Sequence, residues 1–155
     1  MTPAIDILKK AKADYRIHEY EHDPSAQFYG EEAAVKLGVD SSRIFKTLVI
    51  STQTKELAVG IVPVSQQLDM KRMAKALKVK KVVMADKADV ERVTGYVLGG
   101  VSPLGQKKRL KTVIDASAET FKSVFVSAGR RGLEIELSPD NLCTLTKGCF
   151  ENIGT

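Results

Sequence analysis

Residues 44–62 read IFKTLVISTQTKELAVGIV. The runs 44–51 and 56–62 are rich in β-branched residues, and the polar stretch Thr52-Gln53-Thr54-Lys55 separates them. Two such runs around a short polar break predict an antiparallel hairpin. Helices and strands interleave on either side of it. Thr2-Pro3 places a capping hydroxyl before a proline at the first helical position, and Ile5 and Leu8 mark that helix's apolar face. Residues 16–21 read as a strand broken by Asp23-Pro24-Ser25, and residues 31–37 as a helix stopped by Gly38. Asp69 caps a helix whose apolar side is Met70, Met73, Ala74 and Leu77. A short strand at 81–84 and a helix from Asp86 to Gly95 come next. Strands are expected at 112–115, 123–126 and 133–137, a last helix after Ser138-Pro139, and a short strand within 148–152. An antiparallel hairpin inside this alternating order gives the fold class α+β, with a mixed sheet or small barrel surrounded by helices.

The 155 residues suit one domain, 1–155, and the 43% hydrophobic content excludes a disordered chain. No apolar run approaches the roughly 18 residues of a membrane span. The N-terminal MTPAIDILKKAK has no apolar signal-peptide core, so a cytoplasmic protein is expected. Cys143 and Cys149 make no disulfide framework and read as buried structural thiols.

The net charge of +5 is unevenly placed. Residues 1–70 carry eight Lys/Arg and ten Asp/Glu, residues 71–111 carry twelve and three, and residues 112–155 carry four and six. All of the basic excess therefore lies in the middle segment. It forms two clusters, Lys71, Arg72, Lys75, Lys78, Lys80 and Lys81, then Lys107, Lys108, Arg109 and Lys111. A single cluster reads as a solvated face. Two, flanked by acidic segments, fit a polyanionic partner, of which nucleic acid is the commonest.

Lys46 is the most informative single residue. Strand alternation puts it on one face with Ile44, Leu48 and Ile50. An unpaired ammonium is costly to bury, so it either snorkels to water or meets a phosphate, carboxylate or oxyanion in a pocket. The loop Gly99-Gly100-Val101-Ser102-Pro103 lets backbone approach a ligand, and its N–H groups can form an anion nest, although a plain structural turn has the same composition. It is neither a P-loop nor a dinucleotide fingerprint. His18 and His22 are four apart, but on a strand that spacing does not make a metal pair, and HExxH and CxxC patterns are missing. Glu134 and Glu136 alternate with Leu133, Ile135 and Leu137, so they face away from the core, toward solvent or a cleft. No Ser-His-Asp set or metal cage emerges. From the residues alone, the expectation is a basic α+β domain that binds an anionic ligand.

Four stretches together resemble the YbaK/EbsC family: His18-x-Tyr20-x-His22, Phe45-Lys46-Thr47-Leu48, Gly95-Tyr96-x-x-Gly99-Gly100-x-Ser102-Pro103-Leu104-Gly105-Gln106-Lys107-Lys108, and Ser127-x-x-x-Arg131-Gly132-Leu133. The likeness runs in order from Thr2-Pro3-Ala4 nearly to the C-terminus. Within the prolyl-tRNA synthetase editing-domain superfamily it is similar to the free-standing Cys-tRNA(Pro)/Cys-tRNA(Cys) deacylases. The resemblance implies a mixed β-barrel with helices around it, no metal or cofactor, and hydrolysis of the ester joining cysteine to tRNA(Pro). Family site residues map to Tyr20, Lys46, Thr47, Gly99 and Ser127. The chain has Glu134 where the family often has Asp, and Tyr29 where it often has Phe.

On that resemblance the substrate thiol attacks its own ester, which needs orientation more than a protein base. Gly99 and Gly100 N–H groups are expected to meet the oxyanion and Lys46 the terminal adenosine or its phosphate. Tyr20, Tyr29, Thr47, Val101, Ser102, Pro103, Ser127 and Glu134 are expected to shape the substrate pocket. Lys71, Arg72, Lys75, Lys78, Lys107, Lys108 and Arg109 are expected to hold the tRNA backbone. Prolyl-tRNA synthetase is the implied recruiting partner, and a monomer is the default state. The alternatives are an editing hydrolase for another aminoacyl-tRNA, such as Ala-tRNA(Pro), and a non-catalytic tRNA-binding module.

Overall fold

The computed structural model describes residues 1–155. In chain order the elements are α1 (Pro3–Ala11), β1 (Tyr15–Glu19), α2 (Tyr29–Leu37), a short 3-10 helix (Ser41–Arg43), β2 (Phe45–Thr52) and β3 (Leu57–Pro63). There follow α3 (Met70–Leu77), β4 (Val82–Met84), α4 (Lys87–Thr94), β5 (Lys111–Asp115) and a second 3-10 helix (Ala116–Thr120). The last elements are β6 (Val124–Arg130), β7 (Leu133–Leu137), α5 (Pro139–Thr146) and β8 (Cys149–Glu151).

The 44–62 segment is the hairpin its pattern predicts: β2 and β3 are antiparallel from Phe45↔Pro63 to Ser51↔Leu57. It lies within a five-stranded sheet of order β4-β2-β3-β5-β8, which is mixed because β3–β5 and β5–β8 are parallel. A second, antiparallel sheet has the order β1-β7-β6. The two sheets touch where Ile44 bridges Phe125, and they do not close into a barrel. Alternation along β2 divides its side chains between two cores. Phe45 and Val49 join Val59, Ile61, Val126, Ile135 and the Ile5/Leu8 face of α1 in the larger one. Ile50, with Ala58 and Val62, is covered by Met73, Ala74 and Leu77 of α3. Each fully buried aliphatic side chain contributes about 1.5–3 kcal/mol. Ala33 and Ala34 of α2 make a third, small cluster with Ile44 and Phe125.

Two strand ends differ from the sequence reading. β1 ends at Glu19, one residue before the Tyr20 N–H makes a last in-register bond to the Gly132 carbonyl at 3.0 Å. β6 continues past Val126 through an irregular pairing between Ser127 and Arg130, so Ser127 is a strand residue.

Asp115 ties the C-terminus to the sheet. Its buried carboxylate accepts N–H groups of Ile153 (3.0 Å), Gly154 (2.8 Å) and Ser117 (3.2 Å). Burial works to raise its pKa, but these hydrogen bonds outweigh it and hold the carboxyl below its usual range. A depressed folded-state pKa gives stability that is complete above about pH 4 and is lost as pH falls through the folded value. Asp115→Ala should cost about 3 kcal/mol in urea unfolding at pH 7, since it strands buried donors. The gap from wild type should shrink as pH falls from about 4 toward the lower folded-state value, as the wild-type carboxyl takes up its proton.

Candidate active site

β2 is paired with β3 along its whole length, but its other edge is only partly used. β4 pairs with residues 50–52, the Ala85 N–H reaches the Val49 carbonyl at 3.1 Å, and Ile44 bridges Phe125. Between these, Lys46, Thr47 and Leu48 border an open cleft of about 370 Å³. Its other walls are Tyr20 and the start of α2 (Tyr29, Glu31), Gly99 and Val101 of the glycine loop, and Ser127, Arg130, Arg131 and Glu134 from β6, β7 and the turn between them. Side chains from both faces of β2 reach it because it lies at the strand's edge.

The cleft gathers polar groups without partners inside the protein. Thr47 Oγ1 is buried and makes no hydrogen bond. Lys46 is half-buried; burial pulls its pKa below the usual range, the nearby Glu31 carboxylate opposes that, and no carboxylate lies within ion-pair distance. Glu134, paired across the sheet with Ser127 and His18, is 7% exposed. Burial pushes its carboxyl up to about 8, so at neutral pH it is mostly the neutral acid, able to donate one hydrogen bond and accept others. Burial and the neighbouring Glu134 push the Tyr20 phenol up to about 12, which keeps it a donor. Native proteins pair most buried polar groups, so unpaired ones concentrated in one cleft point to a ligand.

The glycine loop divides at Gly100. Gly99 borders the cleft at φ 93°, and a Cβ there would lie 2.8 Å from both Arg131 Nη2 and Tyr29 Cε2. Gly100 is buried, is not a wall residue, and its N–H donates to the Val97 carbonyl at 2.9 Å. The N–H groups of Gly99, Val101 and Ser102 have no partner within the protein, whereas that of Gly100, expected as half of an anion-binding pair with Gly99, is already engaged. Ser102 and Pro103, expected in the pocket, are also buried elsewhere. Ser102 Oγ accepts the Leu104 N–H at 3.2 Å, and Pro103 borders a different hollow beside α1 and α5. The loop turns inward there because the Tyr96 hydroxyl donates to the Leu104 carbonyl at 2.6 Å.

The expected basic residues are outside the cleft. Lys71, Lys75, Lys78, Lys107, Lys108 and Arg109 are exposed. Arg72 is engaged: its Nη1 donates to the Gly154 carbonyl at 2.6 Å, and Asp69 lies 3.9 Å from its Nε. His18 and His22 are held apart by separate glutamates, Glu136 at 2.9 Å and Glu32 at 2.7 Å. The sequence reading missed Arg130 and Arg131 as wall residues, and the exposed Phe28 and Leu98 beside them. The only signal for Arg131 was its place in the Ser127-x-x-x-Arg131-Gly132-Leu133 stretch.

Glu134 gives a stability test. A carboxyl raised in the folded state costs nothing below about pH 4.3, and destabilises the fold progressively as pH rises from there toward its folded value near 8. Glu134→Gln should therefore match wild type near pH 4 and unfold at higher urea than wild type at pH 8. Parallel pH–stability curves for the two proteins would contradict this.

Comparison with known proteins accords with the cleft. The family model for the aminoacyl-tRNA editing domain matches residues 23–145. EbsC of Enterococcus faecalis, provisionally named a Cys-tRNA(Pro)/Cys-tRNA(Cys) deacylase, is 38% identical over 99% of this chain and 93% of its own. The multifunctional Ser/Thr-tRNA deacylase ProXp-y of Escherichia coli K12 is 25% identical over 81% of this chain and 75% of its own. A crystal structure provisionally described as a trans-editing enzyme for prolyl tRNA synthetase superposes with a TM-score of 0.86 at 20% identity, covering 99% of this chain and 95% of the other, and so shares the fold. With the family model spanning most of its length and one relative aligned almost end to end, the chain belongs to the aminoacyl-tRNA editing domain family.

Proposed function

We propose that this chain is a trans-acting deacylase that removes cysteine from Cys-tRNA(Pro), and also acts on Cys-tRNA(Cys), with the substrate's own thiol as the nucleophile. The observation that carries this reading is the make-up of the cleft: it holds donors, the buried neutral acid Glu134 and the exposed Glu31 at its wall, but no histidine or cysteine, and no hydroxyl paired with a base. Cys143 and Cys149 lie elsewhere, half-buried and exposed rather than buried as expected, and Ser127 Oγ is an acceptor for the Gly129 N–H at 3.1 Å. In the step envisaged, the substrate sulfur attacks its ester carbonyl carbon and the C–S bond forms. The ester C–O bond then breaks, and the thiol proton ends on the departing ribose oxygen, leaving a thiolactone.

The protein's part is orientation and charge. Gly99 and Val101 N–H groups face the developing oxyanion, and Lys46 holds the terminal nucleotide. Tyr20, Tyr29, Thr47, Ser127 and Glu134 frame the amino-acid side chain. Exposed Phe28 and Leu98 beside the opening suit an unstacked base. The exposed lysines and Arg109 add sequence-independent affinity for the tRNA body, so identity is supplied by a partner, prolyl-tRNA synthetase, in the cytoplasm.

Glu134 supports a second reading. A buried acid raised to about 8 is suited to activate water, which would free the reaction from sulfur and admit Ala-tRNA(Pro) or a seryl or threonyl ester. Deacylation of Cys-, S-methyl-Cys-, Ala- and Ser-tRNA(Pro) in parallel separates the two. The thiol mechanism predicts turnover of the cysteinyl ester alone. Equal rates on all four would exclude it, and their joint loss in Glu134→Gln would establish the water route. Lys46→Ala should lower kcat/KM about 100-fold or more with an unchanged melting temperature. Wild-type activity in that variant would remove Lys46 from the site.

A further inference from the structure

We propose that Arg131, laid against the ring of Tyr29 at the rim of the cleft, is a clamp for the phosphodiester that precedes the RNA's terminal nucleotide. The proposal rests on reading the cleft as a site for an aminoacylated RNA 3′ end, and adds a second anion position to it. The guanidinium carbon of Arg131 is 3.8 Å from the centroid of the Tyr29 ring. That contact fixes the side chain's position at an otherwise exposed rim. Arg131 nevertheless makes no hydrogen bond and no ion pair within the protein. Arg43 reaches Ser123 and Glu136, Arg72 reaches Gly154 and Asp69, and Arg92 reaches Asp89; Arg16, Arg109 and Arg130 are unpaired like Arg131, but of these four only Arg131 is held against an aromatic ring.

Three distant parts of the chain meet to hold this one cation. Tyr29 opens α2, Arg131 lies in the β6–β7 turn, and the backbone of Gly99 passes so close that any Cβ there would collide with both. Ordering a long side chain costs conformational entropy, and here no internal acceptor offsets it. The free edge of a planar guanidinium matches two phosphate oxygens at once. Position separates this role from that of the deeper groups. An oxyanion is stabilised where water is excluded, whereas Arg131 is exposed, and half-buried Lys46 sits farther in. Arg130 beside it reinforces the positive rim. Of the two acids in the cleft wall, Glu31 is exposed and Glu134 is mostly neutral at pH 7. The clamp thus fixes the register of the strand, and so how far the ester reaches toward Gly99.

The test uses uncharged RNA minihelices ending in CCA, one native and one with a neutral methylphosphonate linkage before the terminal adenosine, titrated into the full-length protein by fluorescence anisotropy. Arg131→Ala should weaken binding of the native RNA about tenfold. The methylphosphonate should cost wild type a similar factor and cost Arg131→Ala almost nothing more. Arg131→Lys should recover only part, since a point charge replaces a fork, and Tyr29→Leu should lose part by releasing the stack. Deacylation of the charged native minihelix, run beside it, should show the Arg131→Ala defect in KM rather than kcat. Unchanged affinity in Arg131→Ala, or an undiminished methylphosphonate penalty, would overturn the clamp while leaving the editing reading intact. A wild-type protein that neither binds nor deacylates CCA-ended RNA would overturn both.

Discussion

β2 goes without a neighbour on one side for three residues, and the site is built on that interruption. A strand edge inside a protein is usually paired or covered, because its N–H and C=O groups and both rows of side chains otherwise meet water. Here the second sheet comes only as near as Ile44, and β4 begins only at Ile50. Had either been longer, Lys46 would have been sealed into the core, where an ammonium is costly, and the buried Thr47 hydroxyl would have had no cleft beside it. The gap instead sets them opposite Glu134 and Ser127 of the other sheet, with α2 and the glycine loop completing the walls.

The polar groups of the cleft depend on apolar packing beneath them. Ile135, Leu137 and Val126 anchor one sheet, and Phe45, Val49 and Ile61 the other, all in one core. That shared core fixes the spacing of Lys46 and Glu134. It also explains why a carboxyl is held in so unfavourable a place: the strand that carries it is committed by its alternate residues, and its own desolvation is the cost of a neutral acid in the cleft.

Much of this was legible in the residues, for local reasons. Two-residue alternation placed Lys46 on a face with Leu48 and Ile50, and turned Glu134 and Glu136 away from the core. The turn-prone break at 52–55 made the hairpin antiparallel. What escaped was coverage at long range. Alternation says that Glu134 leaves the core but not that the cleft walls will shield it from water, so a solvated face and a buried acid read alike. A continuous motif also invited one role for all its members, yet Gly99 and Val101 border the cleft while Gly100, Ser102 and Pro103 support it from behind. Nothing in the order of residues distinguishes Arg131 from the neighbouring Arg130, and only the stack on Tyr29 sets it apart.

The N-terminal segment is wedged behind the glycine loop. Thr2 Oγ1 donates to the Ala128 carbonyl at 2.5 Å, and Gly105 lies against the Pro3 carbonyl so closely that no side chain fits between them. The walls of the cleft are thereby braced by the chain's first residues as well as by its middle and its late strands. No excerpt of the polypeptide carries a working binding surface. A peptide spanning the glycine motif has nothing to hold its bends, and the recognition surface comes into being only when the ends of a long loop have been brought together, a step that makes folding slow relative to a helical bundle of the same size.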